Sequence, residues 1–167
     1  MSDIRGVGPT GSPLDISVTA LGDVFVDGRV YRWLQAIPGI GTGAAYASGD
    51  AFGTSFSLSL PARGTISVVL FLDYDNEGLN KELVLFSRPV TETADNAAFA
   101  VSDAGLRFTV GVVSVEQWYG FANNQIGIAN PALSYSGAEG GLYGQWVTRG
   151  ADNIAAGAIP EFVVVVV

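Results

Sequence analysis

The sequence contains no cysteine and no histidine. Without cysteine the chain cannot form disulfides, thiolate metal sites or cysteine nucleophiles. Without histidine it lacks the commonest general base near neutral pH and the commonest transition-metal ligand. Catalysis would have to use carboxylates, tyrosines or the single lysine, Lys81. We therefore predict that the protein is not an enzyme and holds no cofactor.

Charge is also scarce, and positive charge most of all. Charged residues make up 14% of the chain, where about 25% is typical of soluble domains, and 49% of the residues are apolar. The formal net charge is −8, and the arginines are scattered at positions 5, 29, 32, 63, 88, 107 and 149. Nucleic-acid backbones and anionic membrane surfaces reward clustered positive charge. We expect neither partner, and we expect part of the apolar surface to be buried between protein subunits.

No apolar run approaches the roughly 18 residues that a membrane-spanning helix needs. The start of the chain, "MSDIRGVGPTGSP", lacks the apolar stretch of a signal peptide. Its glycines, serines and prolines predict a flexible N-terminal arm at residues 1–13. The remaining residues, 14–167, have the length of one ordinary domain.

Period-2 alternation of apolar residues is the main structural signal in that domain. It is clearest in "LDISVTA" (14–20) and "TSFSLSL" (54–60). Further strands are predicted at 65–72, 82–87, 109–115, 142–150 and 161–167. The run Phe162 to Val167 would recruit partners as a bare edge, so we expect it to be paired or covered.

Turn residues predict how these strands connect. Asp27-Gly28 favours a tight hairpin between residues 23–26 and 29–34. Residues 36–53 and 117–141 read as irregular connections. Thr93 or Asp95 could cap a short helix over 96–101, and Ser102 or Asp103 a second turn. The sum predicts an all-β single-domain sandwich, jelly-roll-like, or a partly closed barrel, with one or two short helical turns.

The acidic segment "FLDYDNEG" (71–78) resembles the first half of a calcium loop. Asp73, Asp75 and Glu77 precede Gly78, as EF-hand ligands precede the loop glycine, but the position of the bidentate glutamate is Val84. Strands also flank the segment where an EF-hand has helices. We predict a polar turn at a hairpin tip, with Asp73, Asp75 and Glu77 as a weaker metal-site alternative.

Two other patterns could carry chemistry. "GIGTGAA" (39–45) has the glycine spacing of a dinucleotide loop, but Pro38 precedes it and further glycines follow, so a flexible loop is predicted. Paired carboxylates could support glycoside hydrolysis. The available residues are Asp23, Asp27, Asp50, Asp73, Glu92, Asp95, Asp103 and Glu116. Most are expected to form turns and caps.

Aromatic residues supply the remaining candidates. Trp118, Tyr119, Phe121, Tyr143 and Trp146 could build a sugar-stacking platform, although large aromatics next to strands more often serve the core or a subunit contact. The sequence alone allows both interpretations.

Several sequence blocks between about residues 46 and 167 resemble a family of small virion structural proteins of tailed phages. The blocks are "AYASGDAFG", "ISVVLFLDYDNEGLNKELVLFSRP", "TADNAAFAVSDAGL", "VGVVSVEQW" and "GLYGQWVTRGA". Residues 1–45 lie outside the resemblance.

The resemblance implies a head decoration, or cement, protein on the outer surface of the capsid. Such a protein would be a homotrimer with a jelly-roll or similar fold, and its partner would be the major capsid protein. The predicted interface residues are Arg5, Leu14, Trp118, Tyr119 and Trp146. A virion-associated carbohydrate-binding module is the alternative function.

Overall fold

The computed structural model describes residues 30–136 and 141–167, and the backbone of four short strands before residue 30. The chain divides into two compact units, Met1–Val30 and Tyr31–Val167. In the first unit, β1 (Gly6–Val7) pairs with β2 (Pro13–Leu14), and β3 (Ile16–Val18) pairs with β4 (Val24–Val26). Most of the predicted arm at residues 1–13 lies outside the described residues, so its flexibility stays a prediction.

The hairpin predicted around Asp27-Gly28 is wrong in its pairing. The two turn residues lie outside the described part, but the strands on either side pair elsewhere. β4 pairs with β3, and β5 (Tyr31–Ala36) pairs with β14 (Glu161–Val166), near the far end of the chain. A local turn signal does not determine which distant strand a segment pairs with. Here β5 pairs with β14 because the buried valines of β14 need a strand on each side.

The second unit consists of two antiparallel sheets, which confirms the predicted all-β sandwich-like fold. Its remaining strands are β6 (Ala51–Leu58), β7 (Arg63–Asp73), β8 (Lys81–Phe86), β9 (Thr109–Val115), β10 (Gln117–Gly120), β11 (Gln125–Ala129), β12 (Leu133–Ser136) and β13 (Leu142–Thr148). The first sheet has the order β10-β11-β7-β14-β5, with β12 also paired to β7. The second sheet has the order β6-β13-β8-β9.

The two sheets face each other across an aromatic core. Trp146 from β13 meets the ring of Phe71 from β7 edge-on, with centroids 5.1 Å apart. It also meets Phe162 from β14 at 5.6 Å. Edge-to-face pairs add about 0.5–1.5 kcal/mol each beyond the area they bury. These contacts fix the distance between the sheets.

The valine-rich strand β14 lies inside the first sheet, between β7 and β5. Val163 and Val164 are fully buried, and Val164 and Val166 belong to the core cluster. This confirms the prediction that the terminal apolar run is paired. Strands of this composition suit an interior position, because both of their faces are covered.

The segment at residues 87–108 supplies a second, smaller apolar cluster. Val90, Phe99 and Val101 pack against Phe86 of β8 and Val147 of β13. This explains why β8 is apolar at consecutive positions. The segment contains the one-turn helix α1 (Asp103–Leu106), whose predicted cap is confirmed because the Ser102 hydroxyl accepts from the Gly105 N–H at 3.1 Å.

Two local predictions are wrong. Residues 96–101 are not helical. The Thr93 hydroxyl bonds to both backbone groups of Ala100, seven residues further on, and Asp95 accepts from the distant Gly41 and Gly53 N–H groups, so neither side chain caps a helical turn. Residues 117–141, predicted to be irregular, contain β10, β11 and β12. The asparagines and Pro131 that favoured a loop lie in the short connections between these strands.

Candidate functional site

The acidic segment at residues 73–78 connects the two sheets. β7 belongs to the first sheet and β8 to the second, so the predicted hairpin tip is wrong: the segment crosses between layers. A crossing needs a fixed backbone path at the edge of the core, and buried polar groups there must be hydrogen-bonded.

Asp73 is buried, with 5% of the residue exposed, and its carboxylate fixes the backbone of the crossing segment. Its Oδ1 accepts from the Asp75 N–H at 2.9 Å, and its Oδ2 accepts from the N–H groups of Glu77 at 2.9 Å and Gly78 at 3.2 Å. The Gln125 side chain donates to the same Oδ2 at 2.6 Å. One carboxylate therefore holds the whole turn and ties it to β11.

The carboxylates of Asp75 and Glu77 also accept hydrogen bonds from backbone N–H groups. Asp75 Oδ2 accepts from the Ala155 N–H at 2.7 Å, and Glu77 Oε2 accepts from the Asn153 N–H at 2.9 Å. Within residues 30–136 and 141–167, no group of three acidic side chains converges as metal ligands. Calcium takes six to eight oxygen ligands, whereas these oxygens face N–H donors. The arrangement does not fit a calcium ion.

A buried ion pair lies beside this crossing. Lys81, the first residue of β8, places its Nζ 2.6 Å from Asp152 Oδ1, and the two side chains are 3% and 1% exposed. The ammonium also donates to the Leu79 carbonyl at 2.7 Å. The Thr148 hydroxyl donates to the other oxygen of Asp152.

Aromatic rings surround the Lys81 ammonium. Its Nζ lies 5.1 Å from the ring centroid of Phe52, 5.5 Å from that of Phe71 and 5.7 Å from that of Trp118. Burial lowers the pKa of Lys81 below its ordinary value, and nearby carboxylates, chiefly Asp152, act in the opposite direction. The only lysine of the chain therefore lies in a dry, aromatic compartment.

The glycine-rich stretch at residues 39–45 is held by Asp95. This carboxylate accepts from the N–H groups of Gly41 at 2.8 Å and Gly53 at 2.6 Å, and from the Tyr46 hydroxyl. The Gly41 N–H is thus already bonded, and no helix follows the loop. Burial first, and then Asp95, raises the pKa of Tyr46 well above its ordinary value.

The remaining described carboxylates are not arranged as a catalytic pair around a cavity. Glu92 accepts from the backbone and hydroxyl of Ser55, and Asp50 from the Ala47 N–H. A groove of about 470 Å³ is lined by apolar and uncharged residues such as Phe56, Phe86 and Tyr143. Asp23 and Asp27 lie outside the described residues.

The structure separates the aromatic candidates. Trp146 is fully buried in the core, so its predicted role as an exposed interface residue is wrong. Trp118 is half-buried against Phe71. Tyr119 and Phe121 are exposed. Tyr143 is partly buried and lines the groove named above. A joint platform of five rings is therefore absent among the described residues, and of the five candidates only Tyr119 and Phe121 are exposed side by side at the end of β10.

Exposed apolar side chains occur at both ends of the first sheet. At one end, β5 exposes Tyr31 and Leu34. At the other end, β10 and the turn after it expose Tyr119 and Phe121. End strands leave one row of backbone N–H and C=O groups unpaired, which can recruit another strand.

The side chains of two predicted interface residues, Arg5 and Leu14, lie outside the described part. The Lys81–Asp152 pair was not predictable from the sequence, because its members are 71 residues apart. The one hint was a lone lysine at the start of an apolar strand, "KELVLF". Among the described residues, no helix has the length and apolar character needed to cross a membrane.

The chain was also compared with known proteins. No protein-family model matches it, and no curated protein matches its sequence.

Proposed function

We propose that the protein is a phage capsid decoration protein that stabilises the head shell. It binds the outer surface of the major capsid protein lattice as a homotrimer. The sequence blocks named above support this proposal. The structural observation that carries it is the pair of apolar ends of the first sheet, formed by β5 and by β10.

Two different apolar ends on one subunit suit a ring of copies. In a cyclic oligomer each interface joins one surface of a subunit to another surface of its neighbour. The β5 end, with Tyr31 and Leu34, would meet the β10 end, with Tyr119 and Phe121. Burial of these four side chains between subunits would remove their apolar surface from water.

Multivalency explains how a protein with few charged residues holds a shell. Three linked copies convert the second and third contacts into intramolecular events, so weak individual contacts give high avidity. The small number of charged residues is compatible with a protein lattice as partner, since binding then depends on apolar and hydrogen-bonded contacts.

Light scattering after gel filtration tests the oligomer. We expect the mass of a trimer for the wild type and of a monomer for Leu34→Asp or Tyr119→Asp. Val112→Asp is the matched control, because Val112 is an equally exposed apolar residue on β9, in the other sheet. A wild-type monomer, or a control that dissociates as readily, would contradict the proposed interface.

Binding to expanded shells that lack the protein tests the function itself. We expect saturable binding of the wild type, with density on the outside of the shell by cryo-electron microscopy. The monomeric variants should lose most of this binding. A trimer with no affinity for shells would retain the interface and refute the capsid role.

The exposed pair Tyr119 and Phe121 favours a second candidate, a carbohydrate-binding module. The two residues are two positions apart at the end of β10, so both rings can face one sugar chain. Glycan-array binding that is lost in Tyr119→Ala would favour this function. Val112→Ala should leave such binding unchanged.

A further inference from the structure

The Lys81–Asp152 pair has a geometry that an ordinary surface ion pair lacks. Both side chains are almost completely buried, and the contact joins β8 of the second sheet to the connection between β13 and β14. Replacing such a pair with apolar residues is often neutral or stabilising, so stability alone does not account for it.

We propose that Lys81 and Asp152 form an intramolecular isopeptide bond. Near-attack geometry requires reacting atoms about 3–3.5 Å apart. A nitrogen hydrogen-bonded to Oδ1 at 2.6 Å lies at about that distance from the carboxyl carbon. This inference does not depend on the proposed capsid role.

The first step is a proton transfer within the pair. The proton moves from the Lys81 Nζ to Asp152 Oδ1 along their hydrogen bond, which leaves a neutral amine and a neutral carboxylic acid. Separated charges are costly when both side chains are withdrawn from water, and the exposures of only 3% and 1% therefore favour this neutral pair. The burial that lowers the pKa of Lys81 acts in the same direction.

The second step forms the amide. The lone pair of Nζ attacks the Asp152 carboxyl carbon, and the Thr148 hydroxyl, which donates to Oδ2, stabilises the negative charge that develops on that oxygen. The bond from carbon to Oδ1 then breaks. Oδ1 leaves as water with its own proton and one proton from the nitrogen, so no oxidant, reductant or cofactor is needed.

The compartment also opposes the reverse reaction. Hydrolysis would require a water molecule next to an amide enclosed by aromatic rings. Well-oriented intramolecular reactions reach effective concentrations of about 10⁵–10⁸ M, which offsets the unfavourable condensation of an amine with an acid in water. The product would join two segments that are 71 residues apart.

Intact-mass spectrometry of the full, unfolded chain after purification tests the proposal. We expect the wild type to weigh less than its sequence by one molecule of water. Trypsin should then release residues 64–107 joined to 150–167, because the linked Lys81 resists cleavage and Arg88 precedes a proline. A folded wild type that keeps its full sequence mass after prolonged incubation would overturn the proposal, as would a link at other residues.

Two variants sharpen the test. Lys81→Arg should keep the full sequence mass, because a guanidinium does not attack the acid. Asp152→Asn retains the buried shape if Lys81→Arg does not fold, but it removes the carboxylate that accepts the proton in the first step, so it should also keep its full sequence mass. An Asp152→Asn variant that forms the link with loss of ammonia would show that this proton transfer is not needed and would count against the mechanism.

Arg149→Lys is the matched control. Arg149 Nη2 lies 2.5 Å from Glu82 Oε2, but its side chain is 46% exposed. The variant places a second lysine beside a carboxylate in water, and we expect no link between residues 82 and 149. A link there would show that proximity alone is sufficient and would overturn the role given to the dry compartment.

Discussion

Replacing Asp73 with asparagine separates a carboxylate that holds a backbone turn from one that binds calcium. The substitution keeps the size of the side chain and turns one acceptor oxygen into an NH₂ donor. If the new amide oxygen takes the Oδ2 position, it keeps Glu77, Gly78 and Gln125 as donors. The NH₂ group then faces the Asp75 N–H, and that hydrogen bond is lost.

The loss of unfolding free energy follows from the hydrogen bonds that are lost or weakened. A hydrogen bond to a charged group contributes about 1.5–3 kcal/mol, and one is lost outright while the others lose their charge assistance. We expect Asp73→Asn to lower the free energy of unfolding by about 2–3 kcal/mol. Asp73→Ala leaves four donors without their acceptor, of which the Gln125 amide is buried and the three backbone N–H groups are partly buried, and we expect a loss of about 3–5 kcal/mol.

Urea unfolding followed by tryptophan fluorescence measures both variants. Asp103→Asn is the control, since it removes the same charge from an exposed position in α1, and it should cost less than about 0.5 kcal/mol. Calcium and a chelator should leave the wild-type midpoint unchanged. The reasoning fails if calcium stabilises the wild type but not Asp73→Asn, or if the Asp73 and Asp103 variants unfold alike.

Three further changes test the core, the pH dependence and the backbone. Trp146→Ala should lower the free energy of unfolding by about 3–5 kcal/mol, measured in urea, whereas Trp146→Phe should cost less because it removes an indole N–H that has no partner among the described residues. Because the pKa of Tyr46 is raised, the stability that its neutral hydroxyl contributes should be complete below pH 10.0, the ordinary tyrosine value, and should decline above it. In thermal melts from pH 9 to about 12, the melting temperature of Tyr46→Phe should therefore fall less steeply with pH than that of the wild type. An unchanged slope would contradict the assignment. Gly53→Ala should cost at least about 2 kcal/mol by the same assay, because φ is +77° and the new Cβ would lie 2.7 Å from the Pro38 carbonyl oxygen; a cost below 1 kcal/mol would show that the loop relaxes.

Local signals predicted most of the strands, because alternation and chain-breaking residues are properties of the strands themselves. The strand at residues 109–115 and the Ser102 cap match the structure. Pairing was not predictable in the same way. Asp27-Gly28 indicated a hairpin, but the long-range fit of β5 against β14 decides the partner.

The candidate site shows the same division. The acidic residues correctly indicated a turn, since aspartate carboxylates accept backbone N–H groups at short range. The sequence could not reveal that this turn crosses between sheets. Nor could it pair Lys81 with Asp152, because nothing local to either residue depends on the other.

The position of β14 has a consequence for how the protein folds. β5 and β7 come long before β14 in the chain. Each of them pairs with β14, and they do not pair with each other. The first sheet therefore stays in two separate pieces until the long chain segment between them closes into a loop. The entropy of closing that loop must be lost before any valine contact compensates for it. We expect refolding on the millisecond-to-second scale typical of sandwiches with non-local pairing, and slower refolding when β14 is made less apolar.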